Sequence, residues 1–154
     1  MSTEGRCLCG SITFAFEGFP TWTVYCHCES CRRATSSPVT TWICVPRQHF
    51  RFTGGTPQYY ASSPGVRRGF CQTCGSPLSY ESERVPMEVH LYAASLLDPR
   101  AVGPTRHVFT GEQLPWFEVC DQLPRYAATS RGGAAPVHIG PRRPAIMAAN
   151  ETTD

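Results

Sequence analysis

Residues 25–33 read Tyr25-Cys26-His27-Cys28-Glu29-Ser30-Cys31-Arg32-Arg33, which places three cysteines within six positions. An apolar core does not need thiols so close together in the sequence, whereas thiolates at this spacing can converge on one tetrahedral metal ion. Three thiolates leave a fourth position to be explained. Either another residue completes the site, or the position is open for chemistry.

The length and composition predict a single domain that is large enough to bury a core. The chain has 154 residues, 41% of them hydrophobic, with 13 Gly and 14 Pro. That many Gly and Pro residues favours turns and short strands over long helices. A formal net charge of +2, without a block of basic residues, argues against a nucleic-acid partner.

The cysteine content points to metal binding in a reducing compartment. No segment reaches the roughly 18 apolar residues that span a bilayer, and the first residues lack the apolar region of a secretory signal. We therefore expect no membrane partner and a cytoplasmic location, where thiols stay reduced. The nine cysteines are an odd number, which fits a disulfide framework poorly.

Alternating apolar and polar residues predict a mainly β chain. The expected strands lie at 12–16, 21–25, 39–45, 50–52, 58–61, 66–70, 78–80 and 87–91. Ser62-Ser63-Pro64-Gly65 predicts a hairpin turn, and residues 32–37 predict a helical turn. After about residue 130 the periodicity fades, so we predict a domain over 1–130 and a flexible tail over 131–154. Within that tail, residues 137–139 could still dock on the domain.

Seven of the nine cysteines fall into three clusters, namely Cys7 and Cys9, Cys26, Cys28 and Cys31, and Cys71 and Cys74. In an extended chain residues i and i+2 face the same way, and a C-x-x-C-G sequence is a zinc-knuckle pattern. The two pairs can form a closed four-cysteine site, which leaves the trio as a three-ligand site, so we expect two zinc ions per chain. Alternatively all seven serve structural zinc, with His27 or another residue closing the second site. Spacing alone does not decide which pair joins which cluster.

Arg32 and Arg33 follow the third thiol directly. Three thiolates on a divalent ion carry a net charge of about −1, which a nearby guanidinium would stabilise. An arginine fork also suits a substrate carboxylate, so both residues are candidate catalytic residues, against the alternative of a solvated pair. Cys44 and Cys120 lie in apolar surroundings and are expected to be buried.

The cysteine clusters carry a resemblance to a known family. Their order is Cys7-x-Cys9-Gly10, then Cys26-His27-Cys28-x-x-Cys31-Arg32, then Phe70-Cys71-x-x-Cys74-Gly75-Ser76-x-Leu78. Weaker marks are Ser62-Ser63-Pro64, Leu97-Asp98-Pro99, and Trp116 ahead of Asp121-x-Leu123-Pro124. Together these motifs resemble the glutathione-dependent formaldehyde-activating enzymes, over about residues 5 to 127.

The resemblance implies a zinc-stabilised β fold of twisted or stacked antiparallel sheets. It assigns Cys7, Cys9, Cys71 and Cys74 to a structural zinc, and Cys26, Cys28 and Cys31 to a catalytic zinc. The implied activity is that of a carbon–sulfur lyase or synthase, which joins formaldehyde to the thiol of glutathione and cleaves the adduct in reverse. One departure concerns the loop after Cys-Arg-Arg-Ala-Thr, where the family commonly has Gly and this chain has Ser36-Ser37-Pro38.

Two functions of different classes follow. In the first, the open position of the second zinc holds a substrate thiol as thiolate or polarises an aldehyde oxygen, while Arg32 or Arg33 binds a carboxylate. The thiol is glutathione or a similar small molecule, and the aldehyde is formaldehyde or a related compound. In the second, the chain is a non-catalytic zinc-stabilised binding module. A protein side chain in the fourth position would exclude the first hypothesis.

Overall fold

Strands account for 40% and helices for 13% of the part of this protein that the computed structural model describes, residues 1–142. The mainly β fold predicted from the sequence is therefore confirmed. The strands are β1 (Ser2–Arg6), β2 (Thr13–Glu17), β3 (Trp22–Cys26), β4 (Thr40–Pro46), β5 (Phe50–Gly54), β6 (Gln58–Ser63), β7 (Val66–Phe70), β8 (Pro77–Ser82), β9 (Glu88–Tyr92), β10 (His107–Val108), β11 (Pro124–Arg125) and β12 (His138–Ile139). Helix α1 is Glu29–Thr35, and 3₁₀ turns lie at Arg47–His49, Ala93–Ser95, Pro99–Ala101 and Thr110–Glu112.

The chain forms two compact units. The first contains Met1–Thr23 and Thr41–Pro104, and the second contains Val24–Thr40 with the described residues from Thr105 onward. Within residues 1–142, none of the helices has the length and hydropathy needed to cross a membrane.

The first unit is built from antiparallel sheets. Strands β1, β2 and β5 form a three-stranded sheet in that order, and β4, β9, β8, β7 and β6 follow one another in a longer ladder. The predicted hairpin is present, because β6 pairs antiparallel with β7 across the Pro64–Gly65 turn. Strand β1 was not predicted, since its sequence STEGR has no apolar alternation.

The core of the first unit draws side chains from both of its sheets. Phe14 and Phe16 come from β2, and Ile43, Val89 and Leu91 come from β4 and β9, all of them without solvent exposure. Alternate residues of a strand share one face, so these strands bury the faces that their sequences predict. Burying a side chain of this size contributes about 1.5–3 kcal/mol.

The second unit has a mixed strand arrangement. Strand β10 pairs in parallel with both β3 and β11, and β11 pairs antiparallel with β12. The parallel pairs make this part of the mainly β fold mixed rather than antiparallel throughout. Both β10 and β11 come from the later part of the chain and run in the same direction as β3.

The predicted tail begins inside the described part of the chain. His138 and Ile139 pair with Arg125 and Pro124, and the Val137 amide donates to the Arg125 carbonyl at 2.8 Å. The remainder of the tail prediction, residues 143–154, lies outside the described residues. The boundary at residue 130 remains a prediction.

Candidate metal centres and the neighbouring cavity

Four cysteines of the first unit bring their sulfur atoms together. The Sγ atoms of Cys7, Cys9, Cys71 and Cys74 all lie within 4.8 Å of one another. The Cys7–Cys9 and Cys9–Cys71 sulfur distances are 3.5 and 3.8 Å. Four sulfur donors at such distances match the donor set of a closed tetrahedral site, so this cluster could hold a metal ion.

Two tight turns position these sulfurs. Gly10 and Gly75 have φ values of 80° and 74°, a left-handed conformation that glycine adopts without steric cost. The Gly75 amide donates to the Cys71 carbonyl at 2.8 Å, which closes the second turn. Ser76 links the two turns, because its hydroxyl accepts from the Leu8 amide at 3.0 Å and lies 3.1 Å from Cys74 Sγ.

The thiols of this cluster differ in acidity. Hydrogen bonding to Ser76 lowers the pKa of Cys74 to about 5, and bonding to Ser11 lowers the pKa of Cys9. Burial raises the pKa of Cys7. A cation at the centre would favour the thiolate form of all four, which is the form that binds a metal.

The second cluster surrounds the start of helix α1. Cys26 ends β3, Cys28 is the N-cap, and Cys31 lies in the first turn of the helix. The sulfur of Cys28 accepts a hydrogen bond from the Cys31 amide at 3.3 Å, in the way that an N-cap side chain does. The Cys26 and Cys31 sulfurs are 3.8 Å apart. The cap explains why α1 begins at Glu29, three residues before the predicted helical turn.

The sulfurs of Cys26, Cys28 and Cys31 lie within 4.8 Å of one another, and no fourth Cys, His, Asp or Glu of residues 1–142 joins them. Hydrogen bonding with Cys28 and Cys31, together with burial, raises the pKa of Cys26. The contact with Cys26 lowers the pKa of Cys28, but Cys31 and burial outweigh it and raise that pKa to about 11. Such crowded thiols do not ionise together unless a cation compensates their charge, so the donor set fits a divalent metal.

The two arginines after this cluster have different contacts. Arg32 donates from Nε to the His27 carbonyl at 3.2 Å and from Nη2 to the Glu112 carbonyl at 3.3 Å. Arg33 instead forms an ion pair with Glu29 at 2.7 Å, and both of these side chains are more than half exposed. Arg32 therefore fastens the loop that carries Cys26, Cys28 and Cys31, here called the cysteine loop. Arg33 is only weakly held, because exposed ion pairs contribute about 0–1 kcal/mol.

Both arginines line a cavity of about 480 Å³ within the second unit. Its remaining lining residues are Ser36, Ser37, Pro38, Leu114 and Trp116. The first residue that lines the cavity, Arg32, thus directly follows Cys31 in the sequence. Its walls combine two cations, two hydroxyls and an exposed indole, which suits a small polar anion with an apolar part.

His27 belongs to a buried polar chain that sequence reasoning did not find. Its Nε2 atom lies 2.9 Å from Nδ1 of His107, and Nε2 of His107 lies 2.9 Å from Oδ2 of Asp121. Both rings are fully buried. The only sequence signals were the position of His27 between two clustered cysteines and the Asp121-x-Leu-Pro motif.

The pKa values of His27 and His107 favour neutral imidazole rings. Burial lowers the pKa of His27 to about 4. Burial also lowers the pKa of His107, because its effect is larger than the opposing effect of the hydrogen bond to Asp121. Burial alone would raise the pKa of Asp121, but hydrogen bonds from His107 and others lower it. The carboxylate therefore accepts from His107 Nε2–H, and His107 Nδ1 accepts from His27 Nε2–H. His27 Nδ1 is left as a buried acceptor with no hydrogen-bond partner among the described residues.

The structure brings each of the three predicted cysteine clusters together, the two pairs in one group and the trio in another. His27 does not join the trio. The expectation for Cys44 is met, since this residue is fully buried. The expectation for Cys120 was wrong: it is exposed, because it lies in an irregular segment rather than in a strand.

Comparison with known proteins bears on this arrangement. The family model described as "Glutathione-dependent formaldehyde-activating enzyme" matches residues 2–112, a stretch that contains all seven clustered cysteines. The chain belongs to the glutathione-dependent formaldehyde-activating enzyme family.

Two similar proteins accompany this family match. The chain is 34% identical over 77 residues to an uncharacterized lyase of Schizosaccharomyces pombe, covering 50% of this chain and 56% of that relative. The chain thus spans a little over half the length of the curated relative it matches. A crystal structure of a Rhodobacter sphaeroides protein has a TM-score of 0.56 at 22% identity, covering 68% of this chain and 99% of that one. This second likeness concerns the fold alone.

Membership in the glutathione-dependent formaldehyde-activating enzyme family makes Ser36 informative. Its φ of 52° and ψ of 30° are left-handed at the C-cap of α1, at the position where the resemblance led us to expect Gly. Glycine is favoured there because it lacks the Cβ that makes this conformation costly. Ser36 therefore occupies a left-handed turn and places a hydroxyl side chain in the cavity wall.

Proposed function

We propose that this protein is a zinc-dependent carbon–sulfur lyase or synthase that acts on glutathione, or a similar small thiol, and formaldehyde or a related aldehyde. In the forward direction the thiol sulfur bonds to the aldehyde carbon, and the thiol proton goes to the carbonyl oxygen. The reverse step breaks the carbon–sulfur bond and releases both reactants. The observation that carries the proposal is the three-cysteine cluster without a fourth donor in residues 1–142, beside a cationic cavity.

In the proposal, Cys26, Cys28 and Cys31 hold the catalytic zinc, and Cys7, Cys9, Cys71 and Cys74 hold a structural one. A zinc ion with an open coordination position would lower the pKa of a substrate thiol or polarise the carbonyl oxygen of an aldehyde. The remaining roles belong to the chain itself. The Cys28 cap and the Arg32 bonds to two carbonyl oxygens keep the three sulfurs in place.

Arg33 is the proposed contact for a substrate carboxylate. Its ion pair with Glu29 is exposed, so a substrate anion can replace Glu29 at little cost. Ser36 and Ser37 lie in the same cavity and offer hydroxyl groups to the polar parts of the thiol substrate. Arg32 acts through the loop that it fastens and is a positioning residue.

The decisive experiment compares Cys28→Ser with Cys74→Ser. Zinc per chain is measured by elemental analysis, and adduct formation and cleavage by NMR exchange above the uncatalysed rate. Cys28→Ser should lose one zinc and turnover but keep the fold. Cys74→Ser should unfold, because a structural zinc supplies on the order of 10 kcal/mol of folding free energy. The exposed Cys120→Ser is the matched control and should change neither quantity.

Two results would contradict the proposal. If both variants unfold alike, the division into structural and catalytic sites is wrong. If the zinc-loaded parent protein never exceeds the uncatalysed rate, the chain is a binding module rather than an enzyme.

The role of Arg33 has its own test. Arg33→Gln should raise KM for glutathione about tenfold, because a hydrogen bond to a charged group contributes about 1.5–3 kcal/mol. KM for a thiol without a carboxylate should stay the same. Glu29→Gln, which removes the competing carboxylate, is the control and should not raise KM. Equal effects on both thiols would mean that Arg33 only stabilises the helix.

A further inference from the structure

A third group of side chains that could hold a metal ion lies in the first unit, apart from the seven clustered cysteines. Cys44 on β4 is the direct cross-strand partner of His90 on β9. Glu88 precedes His90 by two positions on the same strand, so all three side chains share one face of the sheet. One donor atom from each residue, a sulfur, an oxygen and a nitrogen, lies within 4.8 Å of the others.

We propose that Cys44, Glu88 and His90 form a third metal site, which binds a divalent transition-metal ion such as Zn²⁺. Thiolate, imidazole and carboxylate are the three side-chain ligand types that zinc uses in proteins. A thiolate and a carboxylate together balance the two charges of the ion. The occupied site is therefore neutral, and a neutral group is far less costly to bury than a charged one.

The surroundings of His90 favour such a site. Its ring is 4.7 Å from Trp22 in an edge-on contact and stacks on Tyr80 at 5.4 Å and 14°, and Trp42 lies 6.5 Å away. These rings fix the orientation of the imidazole on the sides that they cover. Ligands held in a fixed orientation favour metal coordination.

The site is also accessible. Cys44 is fully buried, whereas the side chains of His90 and Glu88 are 14% and 25% exposed. An ion can therefore enter from the side of Glu88 and meet the sulfur last. Glu88 Oε2 and His90 Nε2 are 2.9 Å apart in a hydrogen bond. That bond holds the two donors side by side.

Metal counting tests the site without reference to catalysis, because the seven clustered cysteines stay unchanged. The full-length parent, saturated with Zn²⁺ and then desalted, should retain one more ion per chain than Cys44→Ala or His90→Gln. The matched controls are Cys120→Ala and His49→Gln, which alter an exposed cysteine and an exposed histidine outside the cluster. Both should retain the parent number of ions.

Co²⁺ gives a second measurement, since a paramagnetic ion beside Trp22 quenches tryptophan fluorescence. The parent and both controls should show the quenching, and His90→Gln should lose it. If Cys44→Ala fails to fold, His90→Gln and Glu88→Gln decide the result, because both replace partly exposed polar side chains. If His90→Gln and Glu88→Gln retain as many ions per chain as the parent and still show the quenching, the proposal is overturned.

Discussion

The Nε2 atom of His27 lies 2.9 Å from the Nδ1 atom of His107, and neither ring is exposed to solvent. His27 stands between two cysteines of the second cluster, so this contact ties the cysteine loop to β10. Asp121 fixes the far side of His107 at 2.9 Å. The position of the loop thus depends on a carboxylate that touches none of the three sulfurs.

Replacing this carboxylate should weaken the second unit. In Asp121→Ala, the buried Nε2–H group of His107 loses its acceptor, and the Arg125 guanidinium and the Leu123 amide each lose a hydrogen bond as well. An unsatisfied buried donor costs about 1–3 kcal/mol, so the total loss should be at least of this size. Urea denaturation measures the change in the free energy of unfolding. The control is Glu17→Ala, which removes an exposed carboxylate 3.6 Å from Arg51 and should change stability by less than about 0.5 kcal/mol. Equal effects would contradict a structural role for the histidine chain.

Glu81 should make the stability of the first unit depend on acid pH. It is 5% exposed, and one of its oxygens accepts from Arg47 at 2.7 Å and from Arg67 at 2.8 Å. Burial alone would raise its pKa, but the two guanidinium groups outweigh burial and lower it below 4.5. A lowered carboxylate pKa in the folded state stabilises the protein above the unfolded pKa, and this contribution disappears as pH falls through the folded value.

Glu81→Gln should therefore be less stable than the parent by about 1.5–3 kcal/mol at pH 7, since it loses hydrogen bonds to charged groups. The difference should shrink as the pH is lowered below about 4.5, the ordinary value for this carboxyl. Urea denaturation over that range checks both statements. Glu17→Gln, at an exposed carboxylate 3.6 Å from Arg51, should show little difference at any pH.

Gly5 should tolerate no side chain. It lies on β1 opposite Phe14, and a Cβ at this position would overlap the Phe14 ring. Gly5→Ala should destabilise the first unit by about 1–3 kcal/mol, because the fully buried ring cannot move without disturbing the core. Gly103→Ala is the control, since its added Cβ meets no atom within 4 Å. Equal denaturation midpoints for the two variants would contradict this packing.

Replacing Ser36 with glycine should stabilise the protein. Its left-handed backbone is costly for a residue with a Cβ, so Ser36→Gly should raise the free energy of unfolding by about 0.5–1 kcal/mol. Ser30→Gly, the same exchange at an exposed position inside α1, should lower it by about the same amount. Thermal denaturation of both variants measures the two signs. Destabilisation by Ser36→Gly would mean that the hydroxyl contributes more than the turn costs.

The cysteine clusters could be predicted because their spacing is local. Cys26, Cys28 and Cys31 lie within six positions, from the end of β3 to the first turn of α1, and the strands that alternate apolar residues formed where expected. The tertiary pairing of His27 with His107 could not be predicted, since 80 positions separate them. The two-residue strands β10, β11 and β12 also escaped prediction, because two residues cannot show a periodicity.

The separation between His27 and His107 also has a consequence for synthesis. Chains grow at about 5–20 residues per second, so the 80 residues that separate this pair take about 4–16 s to make. During that interval Cys26, Cys28 and Cys31 already exist, but the residues that fasten their loop do not. Any metal ion or oxidant that reaches the nascent thiols in that interval meets them before His107 and Asp121 have been made.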